Sequence, residues 1–187
     1  MSEVKMHKAV CAECGEECEV PYKPDEMMPA YCRECHSKRK SELPKEVFKV
    51  LNKPNRAISP AAIVATVDSD RAPHTAPFGS LRAITPRLLR FASWRGHDTY
   101  KSLCRDRRVM VTFLAPPNIA VSIRGIAKVV REQMNADRDY AIVEVEVQQV
   151  KYDMVRIVII DDTIRISPRG EEATKWLQTV VGEVEEM

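Results

Sequence analysis

Residues 73–105 read PHTAPFGSLRAITPRLLRFASWRGHDTYKSLCR. The pattern predicts two strands joined by a turn at Thr85-Pro86, then an arginine–glycine loop, then a short helix that begins at Asp98 or Thr99. A loop that leads into a helix N-terminus presents free backbone N–H groups and the positive end of the helix dipole. The stretch therefore suits an anion such as phosphate, to which Arg82 and Arg95 add positive charge. An ordinary strand–helix connection with two surface arginines fits the same residues.

The sequence around this stretch alternates short apolar segments with polar turns. A first helix is predicted between Ser41, as its cap, and Lys53, and two more at 97–104 and 171–185. Strands are predicted at 61–68, 73–80, 81–85, 88–94, 108–115, 119–131 and 140–151, and a last hairpin at 155–160 and 163–167. Six or more strands with three helices indicate a mainly β fold, an antiparallel barrel rather than a parallel α/β sheet.

Composition limits the class of protein. With 44% hydrophobic and 30% charged residues, the chain is expected to be globular and soluble. No apolar run is long enough to span a bilayer, and the polar start MSEVKMHKAV lacks the apolar core of a secretory signal, so a cytoplasmic location is expected. A net charge of +2 gives no general affinity for nucleic acid, which is an unlikely partner.

Five of the six cysteines lie in the first 35 residues. Cys11 and Cys14 form one C-x2-C pair and, after seventeen intervening residues, Cys32 and Cys35 form another. Each pair delivers two sulfurs from one tight turn, and zinc takes four such ligands in a tetrahedron. The predicted metal ligands are therefore Cys11, Cys14, Cys32 and Cys35.

The segment between the two pairs is predicted to form a strand at 19–24 and a return strand at 29–31, which is a zinc ribbon in outline. It resembles small zinc ribbons with a VPY-x-P…P-x-YC-x2-C body, which implies metal binding and contact with a partner. Cys18 and His36 are spare candidate ligands, so a Cys18-for-Cys14 exchange, a rubredoxin-like iron site and an iron–sulfur cluster stay open. We expect a zinc-ribbon domain at 1–40 and a barrel domain at 41–187.

The barrel domain carries an ordered set of short motifs. They are ATVD at 65–68, a proline-bearing strand that ends APFGS at 76–80, a helix opened by Thr99, R-x-x-R-V at 105–109 and I-R-G-x-A at 123–127. Together they resemble the FMN-binding split-barrel flavoproteins of the pyridoxamine 5'-phosphate oxidase-like superfamily. The resemblance covers roughly residues 58–160.

The resemblance implies a six-stranded split barrel that pairs with a second copy, with FMN in the groove between subunits. Asp98 departs from the family, many of whose members place a lysine immediately before the threonine. His74 is expected to be an exposed strand residue. By position, the residues implied to bind the cofactor are Pro77, Phe78, Gly79, Ser80, Leu81, Arg82, Arg95, His97 and Thr99.

The principal functional hypothesis is a homodimeric FMN flavoprotein that acts as an oxidoreductase with a small-molecule or protein electron partner. No catalytic side chain can be assigned, because the chemistry belongs to the cofactor. One alternative is that the barrel binds another ligand, the deazaflavin F420 or haem. Another is that the zinc ribbon is an interaction module and the barrel its dimeric scaffold.

Overall fold

The computed structural model describes residues 5–25, 29–53, 57–154 and 157–187, with only the backbone at 38–40. The chain divides into two compact units, Met1–Ser41 and Glu42–Met187. None of the helices in these ranges is both long enough and apolar enough to cross a membrane.

The first unit is a hairpin followed by a helix. Strands β1 (His7–Val10) and β2 (Glu17–Val20) pair antiparallel, and α1 spans Arg33–Ser41. The predicted return strand at 29–31 is wrong, because these residues have no strand structure and lead directly into α1. The Cys35 N–H donates to the Cys32 Sγ at 3.4 Å, so the sulfur caps the first turn and starts a helix where we expected a strand.

Strands dominate the second unit. In the described part of this unit, seven strands form one antiparallel sheet in the order β4-β3-β7-β8-β9-β6-β5. The mainly β barrel is thus confirmed, with seven strands in place of six. They are β3 (Ala62–Val67), β4 (Pro73–Phe78), β5 (Arg82–Thr85), β6 (Leu88–Trp94), β7 (Arg108–Ala115), β8 (Ile119–Arg131) and β9 (Tyr140–Tyr152).

The connection between β4 and β5 closes the sheet into a barrel. These two strands lie at opposite ends of the strand order, yet only Gly79, Ser80 and Leu81 separate them in sequence. Four Cα–Cα steps span at most about 14 Å, so the two edges of the sheet must approach each other. The interior is filled by alternate residues such as Val64, Phe91 and Phe113, each fully buried.

Three helices cover the barrel. Helix α2 (Lys45–Leu51) buries Val47 and Leu51, α3 (Asp98–Arg105) follows β6, and α4 (Gly170–Glu186) packs its apolar face against the outside of β6 and β9. The predicted Ser41 cap is wrong, because Ser41 ends α1 and Pro44 precedes α2.

The predicted last hairpin is also wrong. Residues 155–156 lie outside the described ranges, and residues 157–169 have neither helix nor strand structure. This segment is attached to the barrel by individual bonds: Ala61 N–H donates to Ile164 O, and the Ser59 hydroxyl donates to Ile166 O. Its apolar residues Ile157 and Ile159 are exposed, so apolar periodicity at this place does not indicate burial.

The burial of Lys53 predicts that the stability of the folded protein depends on pH. Only 8% of this residue is exposed, its Nζ donates to Pro60 O, and burial, assisted by the charge of Arg82, lowers its pKa to about 7. An unfolded lysine titrates near 10.4, so the unfolded state binds more protons between pH 7 and 10 and stability rises with pH across that window. From pH 7 to pH 9, the free energy of unfolding should rise by roughly 1–3 kcal/mol more in the wild type than in Lys53→Met.

Chemical denaturation at several pH values measures this difference. Lys49→Met, on the exposed face of α2, removes an equal charge and should follow the wild type. If the free energy of unfolding changes with pH in the same way in the wild type and in Lys53→Met, the lowered pKa of Lys53 is contradicted.

Candidate metal centre and ligand site

Four cysteine sulfurs converge in the first unit. The Sγ atoms of Cys11, Cys14, Cys32 and Cys35 all lie within 4.8 Å of one another, and those of Cys14 and Cys32 are 3.8 Å apart. A tetrahedral zinc ion with Zn–S bonds of about 2.3 Å separates its sulfurs by roughly 3.8 Å. The cluster therefore has the size of a zinc site, and its four ligands are those predicted.

The electrostatics of the thiols favour a cation. The backbone N–H of Cys14 lowers the pKa of Cys11 to about 6, whereas the adjacent Cys32 thiol raises the pKa of Cys35. Four thiols at this distance cannot all ionise without a positive charge between them. Because the protein supplies all four ligands, the site is of the structural kind and leaves no position for a substrate.

The two spare candidates lie outside the cluster. Cys18 stands opposite Ala9 in the hairpin, and burial raises the pKa of its thiol. His36 is exposed on α1. Among the described residues, neither belongs to the group of converging ligand atoms.

In the second unit, a histidine caps the start of α3. The Nδ1 atom of His97 accepts the Thr99 N–H at 3.1 Å, so a neutral imidazole carries its proton on Nε2 and can donate it. Helix α3 therefore begins at Asp98, one of the two predicted first residues, and His97 is its cap. Asp98 is exposed and faces Lys101 at 3.1 Å, which lowers its pKa and turns the carboxylate along the helix surface.

An aromatic cluster joins β4 to this cap. The His97 ring centroid lies 5.7 Å from that of His74 and 6.4 Å from that of Phe78, which in turn contacts Phe91 at 4.7 Å. His74 Nδ1 lies 3.8 Å from an oxygen of Asp68. The expectation that His74 is an exposed strand residue is wrong, and its alternation with Ala76 and Phe78 on one strand face was the signal for its inward position.

Buried polar atoms without a hydrogen-bond partner mark the same end of the barrel. In the described ranges they are Thr66 Oγ1, His74 Nε2, Ser93 Oγ and Thr99 Oγ1. Thr66 is the cross-strand partner of His74, and Ser93 shares a face of β6 with Phe91. An unpaired buried polar group costs roughly 1–3 kcal/mol, so polar ligand atoms placed here would gain strong partners. Sequence reasoning missed Thr66 and Ser93, because a hydroxyl in a strand gives no local signal.

The predicted residues of the β4–β5 connection face inward. A Cβ on Gly79 would meet Ile58 O at 2.7 Å and the Ile166 side chain at 2.5 Å, so only glycine fits. The Ser80 hydroxyl bonds both backbone groups of Ala92, and Leu81 is 1% exposed in the core. Pro77 remains exposed on the outer face of β4.

Arg82 is buried and fully engaged within the chain. Its guanidinium donates to Glu185 at 2.8 Å and to the carbonyls of Ala57, Gly79 and Leu81 at 2.7–2.9 Å. Its cross-strand neighbour Arg90 is equally buried. Arg90 donates to the Glu144 carboxylate and to the Val184 and Met187 oxygens. Two arginines thus hold the C-terminal end of α4, where positive charge is favoured.

Arg95 differs from Arg82 in being exposed. Its backbone N–H donates to Asp139 O, and its side chain lies beside the Tyr100 hydroxyl. The adjacent Trp94 is 49% exposed. Of the two predicted arginines, Arg95 is the one that a ligand can reach.

Comparisons with known families cover both units. Residues 5–40 match the family model of a treble clef zinc finger, which agrees with the hairpin–helix arrangement of the first unit. Residues 43–154, more than half of the chain, match the family model described as pyridoxamine 5'-phosphate oxidase. No curated protein sequence matches the chain.

Solved structures resemble the barrel. One, from Lactobacillus delbrueckii and named for pyridoxamine 5'-phosphate oxidase, is 20% identical with a TM-score of 0.51, covering 60% of this chain and 96% of its own. An F420 reductase is 14% identical with a TM-score of 0.48, over 59% of this chain and all of its own. HupZ from Group A Streptococcus is 15% identical with a TM-score of 0.49, over 60% and 97%. At these identities the likeness concerns the fold alone.

The cysteine geometry predicts one zinc ion per chain, measured by elemental analysis of the purified protein. Cys32→Ser removes both a ligand and the sulfur that caps α1, so it should abolish zinc binding and the helical signal of this unit. Cys18→Ser, the matched control, should retain full zinc. Equal zinc loss in both variants would mean that the ligand set is wrong.

The bond pattern of Arg82 predicts a structural role. Arg82→Ala leaves three carbonyls and Glu185 without their buried partner, so the free energy of unfolding should fall by roughly 2–4 kcal/mol. Arg95→Ala removes an exposed side chain and should change it by less than about 0.5 kcal/mol. Thermal and denaturant unfolding measure the stability of the two variants. Equal stabilities would refute the structural role of Arg82.

Proposed function

The chain belongs to the pyridoxamine 5'-phosphate oxidase family, and from this premise we propose that it is an FMN-binding flavoprotein that acts as an oxidoreductase. The observation that supports the proposal most directly is the group of unpartnered buried polar atoms beside the N-terminus of α3. A fold that leaves such groups unpaired at one end of its barrel is suited to a polar ligand there.

The phosphate of FMN is proposed to bind at the N-terminus of α3. The first turn of the helix presents backbone N–H groups, and His97 Nε2–H adds a donor. The exposed guanidinium of Arg95 supplies a fixed positive charge. The negative charge of Asp98, which also lies within electrostatic range of His97, is offset in part by its pairing with Lys101.

The flavin ring is proposed to lie along the outer face of β4, beside the exposed Pro77 and the backbone of residues 77–79. Bound FMN supplies hydride and single-electron transfer, which no side chain of the chain can perform. The protein positions the group, and Phe78, on the opposite face of β4, supports this strand from inside through its contact with Phe91. We further propose that a second copy of the chain covers the flavin site on the side where Trp94 is exposed. The electron donor or acceptor would then enter from the side that stays open.

His97 is assigned a positioning role in this scheme. Since its Nδ1 is held by the helix N–H, its Nε2–H points away from the cap with a defined tautomer. The residue therefore couples the start of α3 to a bound anion. The buried Arg82, by contrast, is not proposed to contact the ligand. It affects binding only by fixing the conformation of the β4–β5 connection.

The purified protein should carry a flavin chromophore or take up added FMN, as measured by visible spectroscopy and mass spectrometry of the released ligand. Arg95→Ala and His97→Ala should each weaken FMN binding by roughly tenfold, because each removes one donor to a charged group. The affinity for riboflavin, which lacks the phosphate, should change little in either variant.

Arg138→Ala, an exposed arginine on the β8–β9 loop, is the charge-matched control and should bind FMN as the wild type does. A colourless protein that takes up no FMN would refute the proposal. Release of haem or F420 in place of FMN would keep the site and reassign its ligand.

A further inference from the structure

A polar cleft of about 550 Å³ lies at the opposite end of α3 from the proposed flavin phosphate. It is bounded by the turn between β3 and β4, the end of α3 and the start of β7. Its lining residues are Val67, Asp68, Ser69, Arg71, Arg105, Asp106 and Arg108. Three arginines against two aspartates give the cleft an excess of positive charge.

Arg71 occupies a backbone position that is unfavourable for arginine. Its φ is +70°, and Arg71 is the non-glycine residue with positive φ within the described part of the chain. The turn is fixed by bonds from Arg71 N–H to Asp68 O, from Asp68 N–H to Ala72 O and from Ala72 N–H to Asp70. Glycine or asparagine would adopt this conformation at lower cost, so the structure bears strain to place an arginine at the cleft.

The two carboxylates of the cleft are engaged by other groups. Asp106 holds Arg108 through both oxygens at 2.5–3.2 Å, and this pairing lowers its pKa to about 2. Asp68 accepts the Ser102 hydroxyl at 2.9 Å and faces His74 on its other side. Asp106 is thus paired chiefly with Arg108, although the charge of Arg105 also lowers its pKa, and the three arginines still outnumber the two carboxylates.

The Arg105 side chain is held by two hydrogen bonds that use only part of its N–H donors. One of its terminal nitrogens donates to Val67 O at 2.7 Å and to Ser102 Oγ at 3.3 Å. A guanidinium has five N–H donors, so most of its donor capacity remains available. Because the C-terminal end of a helix does not attract anions, the attraction in this cleft must come from side chains.

We propose that this cleft is a second anion site, which binds the phosphate group of a small molecule between Arg71 and Arg105. The planar guanidinium group of an arginine matches phosphate oxygens, and both Arg71 and Arg105 line the cleft. The proposal does not depend on flavin binding, since the residues involved lie at the other end of α3.

The test is a titration of the full-length protein, as purified, with inorganic phosphate and with inorganic pyrophosphate at constant ionic strength, followed by amide NMR shifts. Arg71→Gln and Arg71→Gly should weaken phosphate binding roughly five- to tenfold. Arg71→Gly should at the same time raise the denaturant midpoint, because glycine relieves the positive φ. Arg138→Gln, the charge-matched control, should leave both quantities unchanged.

Shifts at 68–72 and 105–108 that depend on Arg71 support the cleft, whether or not the protein binds FMN. Tighter binding of pyrophosphate indicates a diphosphate-bearing ligand, and tighter binding of phosphate a monophosphate. Equal affinities for Arg71→Gln and Arg138→Gln, or shifts confined to residues 96–101, would overturn the proposal. The second of these results leaves the proposed flavin site intact.

Discussion

The three-residue connection from Gly79 to Leu81 is the constraint on which the barrel depends. It joins the two edge strands of a seven-stranded sheet, and so brings the edges together. Each residue of the connection contributes differently. Gly79 lacks the Cβ that would clash with Ile58 and Ile166. The Ser80 hydroxyl hydrogen-bonds the backbone of Ala92, and the Leu81 side chain is buried in the core. The adjacent Phe78 and Arg82 are then fixed in direction, one toward the aromatic cluster and one toward α4.

Two buried arginines extend this constraint to the C-terminal helix. Arg82 and Arg90 are cross-strand partners whose guanidinium groups meet Glu185, Glu144 and main-chain oxygens at the end of α4. Like charges at such distance are tolerable only because each has its own carboxylate and carbonyl partners. The helix therefore stabilises the strands of the proposed ligand site, although none of its own residues belongs to that proposed site.

The two proposed anion sites lie where the chain has unpaired buried polar atoms or an unfavourable backbone conformation. Unpaired hydroxyls of Thr66, Ser93 and Thr99 lie near the start of α3, and a positive-φ arginine lies near its end. Both features cost free energy in the chain alone, and both place polar groups where an anion could use them. The zinc site is the reverse case, since its four thiols gain their stability from the metal.

Local pattern alone determined most of the strands and the metal ligands. Strands β6, β7 and β8 begin and end at the predicted residues, because their apolar periodicity is uninterrupted and bounded by turns. The C-x2-C spacing likewise identified the four cysteines that converge. The resemblance in motif order indicated the family, and the implied cofactor residues Phe78, His97 and Thr99 do lie close together.

Tertiary structure alone decided the features that depend on distant partners. Arg82 looked like a phosphate ligand, but Glu185, 103 residues away, engages it in the interior. Residues 29–31, 157–160 and 163–167 carried strand-like patterns, yet no neighbouring strand pairs with them in the described chain, and a segment without a pairing partner is not a strand. Periodicity reports which face of a segment is apolar, whereas pairing and burial depend on residues that only the folded chain brings together.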